Sequence, residues 1–285
     1  MALVKRLTGH TIFIAALIYL ILPVAVVIIF SFQGASRTGL PFEGPSLKWF
    51  ELIVKDDAFR SALTSTLMVA AGAAVTSSAI AFLGALAASR GKLPYPGFIR
   101  GAGLLPLIVP PVFIGFALLL TFGEIGLTPS LFTVYLAHVL VTIPLAWAVM
   151  LARFSGFDFS VEEAARDLGA GRFKVLSRVT LPLTWRSILG ATLISFAFSV
   201  DEFVVTNFVV GADNTLPVMI FSRLRRSIDP SINAIATLLL LTAVLAGIIA
   251  WLLLRSDPSK DTVDPENDEP ALAGVTPAGL SKETR

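Results

Sequence analysis

The 285 residues include no cysteine and two histidines, His10 and His138. The first absence excludes a disulfide framework, a thiolate metal site and a cysteine nucleophile. The shortage of histidine, with no clustered set of acid, base and nucleophile, argues against an enzyme. No catalytic residue and no metal ligand is therefore expected in the chain. Charge is scarce as well: Asp, Glu, Lys and Arg make up 15%, against about 25% in soluble domains.

What fills the chain is apolar, at 55% of positions. These residues gather in six runs, at about 11–32, 62–88, 104–122, 131–153, 187–210 and 232–254. A helix needs roughly 20 apolar residues to cross about 30 Å of hydrocarbon. The expected fold is an all-α membrane protein with six transmembrane helices. The first run follows Lys5 and Arg6 as a signal peptide would. It is about 22 residues long and lacks a small-residue cleavage site, so it reads as a retained span.

The net charge of +2 says little about partners, and no nucleic acid is expected among them. The placement of charge says more. With the N-terminus inside, fifteen of the 22 lysines and arginines fall on the cytoplasmic side, as the positive-inside bias predicts. The loop after the second span carries Arg90, Lys92 and Arg100; the loop after the fourth carries Arg166, Arg172, Lys174, Arg178 and Arg186. Arg223, Arg225 and Arg226 run against the bias, in an amphipathic stretch, Leu216–Ser227, suited to lie along the outer surface.

The second span is rich in small residues, from Ala70 to Ala88, which let backbones approach closely in lipid and place it inside the bundle. Pro106, Pro110 and Pro111 crowd the third span. They read either as a helix start or as a kink that exposes carbonyls. Residues 1–255 form the membrane domain. The tail at 256–285 is rich in Asp, Glu and Pro, has nothing to bury, and is expected to be disordered.

The loop at 158–182, between the fourth and fifth spans, is the most informative segment. Ser160 followed by Glu163 has the spacing of a capping box, Gly169 and Gly171 suit a helix end, and Pro182 marks a break before the fifth span. The loop resembles the EAA motif of binding-protein-dependent ABC importer permeases. Glu163-Ala164-Ala165, Gly169, Val179, Leu181 and Pro182 stand at the motif's positions, with valine for the usual isoleucine at Val179.

That resemblance implies a type I ABC importer permease fold with both termini cytoplasmic, in a bacterial inner membrane. It implies that these seven residues form the helix that couples to an ATPase dimer. The other implied partners are a second permease subunit, in a heterodimer, a periplasmic or lipid-anchored solute-binding protein, and membrane lipid. No Gly-x-x-x-x-Gly-Lys-Ser/Thr sequence occurs, so ATP and Mg would be bound by the partner and this chain would hold no cofactor. Asp201-Glu202-Phe203, Thr215–Ser222, Arg225-Arg226, Asp229-Pro230 and Ile232-Asn233-Ala234 resemble the spermidine/putrescine subgroup, and related permeases for iron or thiamine share parts of this pattern.

Asp201 and Glu202 fall inside the fifth span, where a carboxylate is a functional candidate by default. Ser195, Ser199, Glu202 and Thr206 recur at helical spacing as one polar stripe. This puts Glu202, with Ser199 and Thr206, on the solute pathway, and turns Asp201 toward a neighbouring helix. Both acids also admit a purely structural role. His138 reads as a core or interface residue rather than a proton relay. An ion-coupled carrier would use Glu202 and His138 but leaves the EAA loop without purpose. The topology is checked by reporter fusions: a cytoplasm-active reporter fused after Leu254 is expected to be active, and one at Asp213 inactive. The reverse at either site breaks the six-span arrangement.

Overall fold

The computed structural model describes residues 2–36, 38–90, 95–226 and 230–255. Lys92, Asp229 and the tail at 256–285 lie outside the described residues. The elements in chain order are α1 (Ala2–Ser31), α2 (Lys48–Lys55), α3 (Asp57–Ser89), α4 (Pro96–Ala102) and a 3-10 turn (Leu105–Leu107). They continue with α5 (Pro111–Glu124), α6 (Leu131–Ser155), α7 (Ser160–Asp167), α8 (Arg172–Val175) and a π segment (Leu176–Thr180). The last are α9 (Leu181–Asp201), α10 (Thr206–Val209), α11 (Leu216–Arg226) and α12 (Pro230–Arg255).

Five helical stretches have the length and composition of membrane spans: His10–Ser31, Asp57–Ser89, Leu131–Ser155, Arg172–Asp201 and Pro230–Ile249. The sixth run is not one straight helix. Gly97–Leu107 and Pro111–Glu124 pass the same test only as a pair bent by 94°. Consecutive prolines explain the bend. Pro110 takes ψ 135°, outside the helical region, as a residue before proline must. Pro111 then occupies the first turn of α5, where its missing N–H costs nothing. The helix-start reading holds for Pro111, and the chain bends at Pro110.

The bundle centres on α3, which packs on α6 and α9. Asp56 starts it, accepting the N–H groups of Ala58 at 2.9 Å and Phe59 at 3.4 Å. Ala70, Ala73, Ala81, Ala85 and Ala88 are all fully buried, as the small side chains of this span predict. By contrast α1 packs on α12, and its residues from Ile12 to Leu22 are exposed on the outside.

The lower core joins Phe82, Ala85 and Leu86 of α3 to Trp147, Met150 and Phe154 of α6. Trp147 is the wedge. Its indole N–H donates to the Arg100 carbonyl at 3.1 Å, and a Cβ built on Gly84 or Gly103 would overlap its ring. At the other end of the bundle, α11 lies across α3 and α12. Its Leu216 N–H donates to Thr66 Oγ1 at 2.8 Å, and Arg223 pairs with the Asp56 carboxylate. That hydrogen bond holds the Asp56 carboxyl below its ordinary value despite partial burial.

Because the Trp147 ring fills the space a side chain at residue 84 would need, Gly84→Val is expected to destabilise the purified protein. Overpacking of this kind costs about 1–3 kcal/mol. Thermal unfolding in detergent reads the loss, with Gly247→Val, where a Cβ meets nothing within 4 Å, as the control. Equal melting of the two variants would remove Trp147 from its role as the wedge.

Candidate functional site

Two places in the fold carry chemistry: the loop at 158–182 and an interruption in the fifth span. In the loop, α7 begins at Ser160 as expected, but the cap comes from another residue. Asp158 Oδ1 accepts the Ser160 N–H at 2.9 Å, and no side-chain cap bond is made at the helix start itself. The Ser160–Glu163 capping box does not form, because Ser160 is already the first helical residue and the Glu163 N–H goes to the Phe159 carbonyl. The end of α7 follows the glycine signal. Gly169 has φ +82°, its N–H donates to Arg166 C=O at 2.8 Å, and the Ala170 N–H to Ala165 C=O at 3.0 Å. This is the Schellman pattern, which a residue without Cβ adopts freely.

After Gly171 the chain does not break again until residue 202. A break was expected at Pro182; instead the helix is continuous over Arg172–Asp201. The π segment absorbs the proline. The Leu181 N–H donates to Leu176 C=O, five residues back, and Pro182 follows where a widened turn leaves room for its ring.

Of the motif residues, Glu163, Ala164 and Gly169 are exposed, Ala165 and Val179 half-buried, and Leu181 and Pro182 exposed. Val161, Ala164 and Leu168 share one face of α7 at spacings of three and four. Leu168 is 89% exposed, and Phe173 beside it 82%.

The residue that anchors this loop is the neighbour of the motif, Glu162, which sequence reasoning missed. It is 1% exposed. Arg90 Nη2, at the end of α3, donates to both its oxygens, at 2.9 and 2.8 Å. Arg166 donates at 2.8 Å and Thr180 Oγ1 at 2.6 Å. Burial pushes the Glu162 carboxyl up, but the bonds from Arg90 and Thr180 and the charges of Arg90 and Arg166 outweigh it. The net effect holds the group below its ordinary value. The Glu162–Arg166 spacing of four was a legible signal; Arg90, 72 residues away, was not. Leu83, Arg90, Glu163, Arg172 and Phe173 line an open cleft of about 790 Å³ beside the pair.

The fifth span ends early. Helix α9 stops at Asp201, and Glu202 takes φ −68°, ψ 112°, which is extended. Its carboxylate turns back to accept the Val205 N–H at 2.6 Å, the bond an N-cap makes to the third residue of a new helix. A side chain that serves its own backbone in this way competes with helix continuation. The polar stripe of an unbroken helix is therefore a correction to make. Glu202 is 8% exposed, Ser199 and Thr206 are buried, and Asp201 is exposed.

His138 of α6 accounts for the two hydroxyls. Its Nδ1 lies 2.6 Å from Ser199 Oγ and its Nε2 2.7 Å from Thr206 Oγ1. Thr206 Oγ1 in turn donates to the Glu202 carbonyl at 2.9 Å. The structure brings Ser199, Glu202 and Thr206 together with His138 inside one chain, and leaves Asp201 facing outward.

Replacing Glu162 with Gln keeps its shape and removes the charge that two arginines share. The expected loss at neutral pH is about 1.5–3 kcal/mol, the range for a hydrogen bond to a charged group. Because the folded-state pKa is lowered, this stabilisation is present above the ordinary carboxylate range, near pH 4.3. It fades as pH falls below that through the folded value. Thermal melts of the wild type and Glu162→Gln should therefore converge in acid; a constant difference from neutral to strongly acidic pH would contradict an ionised Glu162.

Comparison with known proteins gives concordant relatives. The family described as "Binding-protein-dependent transport system inner membrane component" matches residues 80–259. The spermidine/putrescine transport system permease protein PotC of Escherichia coli (strain K12) is 30% identical over 86% of this chain and 93% of its own. The putrescine transport system permease protein PotI of the same organism is 35% identical over 83% and 86%. Among solved structures, a bacterial alginate ABC transporter in complex with an alginate pentasaccharide-bound periplasmic protein has a TM-score of 0.60 at 17% identity. That match covers 88% of this chain and 92% of the other. The inward-facing MetNI methionine ABC transporter gives 0.54 at 14%, over 70% and 98%.

Proposed function

This chain belongs to the family of binding-protein-dependent transport system inner membrane components, and we propose that it forms half of the channel of an importer for polyamines. It is an inner-membrane ABC importer permease and not an enzyme. In the reading proposed, a solute-binding protein outside the membrane delivers spermidine or putrescine. Two ATPase subunits close on ATP and draw the coupling helices with them, and this chain and a different second permease alternate the access of the channel between them. Both termini and the loop at 158–182 face the cytoplasm.

The observation that carries the substrate is Asp201, together with two relatives named for polyamine transport. Asp201 is the last residue of α9 and is exposed on the single chain. Carbonyls at the end of a helix carry a partial negative charge, so the carboxylate and the helix end attract the same ligand, a cation. An ammonium leaving water for a constricted channel loses hydration, and a fixed carboxylate offsets part of that cost. Glu202 is occupied by its own backbone. Its role is to shape the break, with Ser199 and Thr206 beside it, while Asp201 meets the solute.

At the cytoplasmic end, Glu163, Ala164, Ala165, Gly169, Val179, Leu181 and Pro182 form the docking element. The exposed apolar residues Val161, Leu168 and Phe173 supply the area that a groove on the ATPase would cover. ATP and Mg belong to that partner.

The test is uptake of labelled spermidine and putrescine into vesicles that hold the complete transporter. Asp201→Asn is expected to cut uptake at least about tenfold, the effect of losing roughly 1.4 kcal/mol, with ATPase association unchanged. Glu202→Gln is expected to lower assembly instead. Full polyamine uptake by Asp201→Asn, or uptake of thiamine or iron in place of polyamine, would overturn the substrate reading. Uptake driven by a proton gradient without ATP would overturn the mechanism.

A further inference from the structure

A break inside a membrane span strands backbone groups away from water, and each must find a partner within the protein. At residues 202–205 two of those partners are side chains. The Val205 N–H goes to the Glu202 carboxylate and the Glu202 carbonyl to the Thr206 hydroxyl. Both are local bonds within the broken segment. They satisfy the break but do not hold its two sides at a fixed separation.

His138 does. Ser199 lies in the last turn before the break and Thr206 opens α10 after it. The imidazole on a separate helix bonds to both. With bonds of 2.6 and 2.7 Å on its two nitrogens, one ring ties the turn before the break to the turn after it.

The proton positions follow from the neighbours. Thr206 has one hydroxyl proton and spends it on the Glu202 carbonyl, so toward His138 it accepts. Nε2 therefore carries the imidazole proton, and Nδ1, left bare, accepts from the Ser199 hydroxyl. The result is a directed chain, from Ser199 through His138 and Thr206 to the carbonyl at the break. His138 is 2% exposed and Ser199 and Thr206 are equally buried, so no water competes for these bonds. We infer that His138 is the positioning residue of the fifth span: it pins both sides of the break and so fixes where the adjoining Asp201 stands. Its importance for transport rests on the reading of Asp201 as the solute contact, but its effect on the position of residue 201 does not.

That separation allows a test without substrate. The chain has no cysteine, so Asp201→Cys introduces a single thiol, whose labelling rate by a cationic thiol reagent reports the surroundings of residue 201. The measurement is made in the assembled transporter in vesicles, with and without His138→Leu. A parallel pair carries Ser61→Cys, an exposed position near the start of α3. His138→Leu is expected to change labelling at residue 201 by at least about tenfold, the scale of one lost buried hydrogen bond, and to leave residue 61 unchanged. Ser199→Ala and Thr206→Val, which each remove one side of the bridge, should shift residue 201 in the same direction. If His138→Leu fails to assemble, these two milder variants decide the matter. Unchanged labelling at residue 201 in all of them, or an equal change at residue 61, would overturn the inference. Normal uptake by Asp201→Asn would overturn the substrate reading and leave the labelling result standing.

Discussion

The hydrocarbon core offers no water to a backbone N–H or C=O, so every such group must be paired within the protein. That constraint makes the helix the default for this chain and makes each departure from it expensive. Three departures stand out among the described residues, and each meets the requirement differently. At the bend before α5, Pro110 and Pro111 have no N–H to satisfy. In the π segment a widened turn keeps the bond from Leu181 to Leu176. At residues 202–205 the side chains of Glu202 and Thr206 pair the Val205 N–H and the Glu202 carbonyl, and His138 in turn bonds Thr206. The third is the most demanding, and it is the one that adjoins an exposed carboxylate.

The same helix reaches both functional places. The stretch Arg172–Asp201 has 30 residues, about 45 Å at 1.5 Å per residue. Near its start, Thr180 bonds the buried Glu162 of α7, and Glu162 also holds Arg90 at the end of α3. Its last residue is Asp201. Glu162 thus ties α7 to the start of this helix through a buried carboxylate, and the helix runs from there to the break without interruption. Asp201 ends the rod whose start Glu162 ties to α7.

The four acids involved come as two adjacent pairs, and in each pair the environment separates the roles. Glu162 is buried and shared by two arginines and a threonine, while Glu163 is exposed. Glu202 is buried on its own backbone, while Asp201 is exposed. A buried carboxylate with its hydrogen bonds filled fixes geometry; an exposed one is free to meet a partner. Glu162 and Glu163 are neighbours on a helix and so point about 100° apart, while Asp201 and Glu202 are parted by the end of α9 itself.

The membrane class, the positions of the spans, the small-residue interior of the second and the motif from Glu163 to Pro182 were legible in the sequence. Each depends on a property that lies along the chain: the length of an apolar run, the size of successive side chains, or the spacing of a motif. What tertiary structure decided was direction and interruption. The fifth span reads as apolar enough to continue to residue 210, yet it stops at 201 because Glu202 finds an N–H three residues on and His138, 61 residues from Ser199 and 68 from Thr206, bridges the gap. Glu162 took the anchoring role because Arg90, 72 residues away, stands beside it. Hydrophobicity is additive along a segment and can be read locally. The pairing of a buried polar group depends on what a distant segment brings within about 3 Å of it, and only the folded chain decides that.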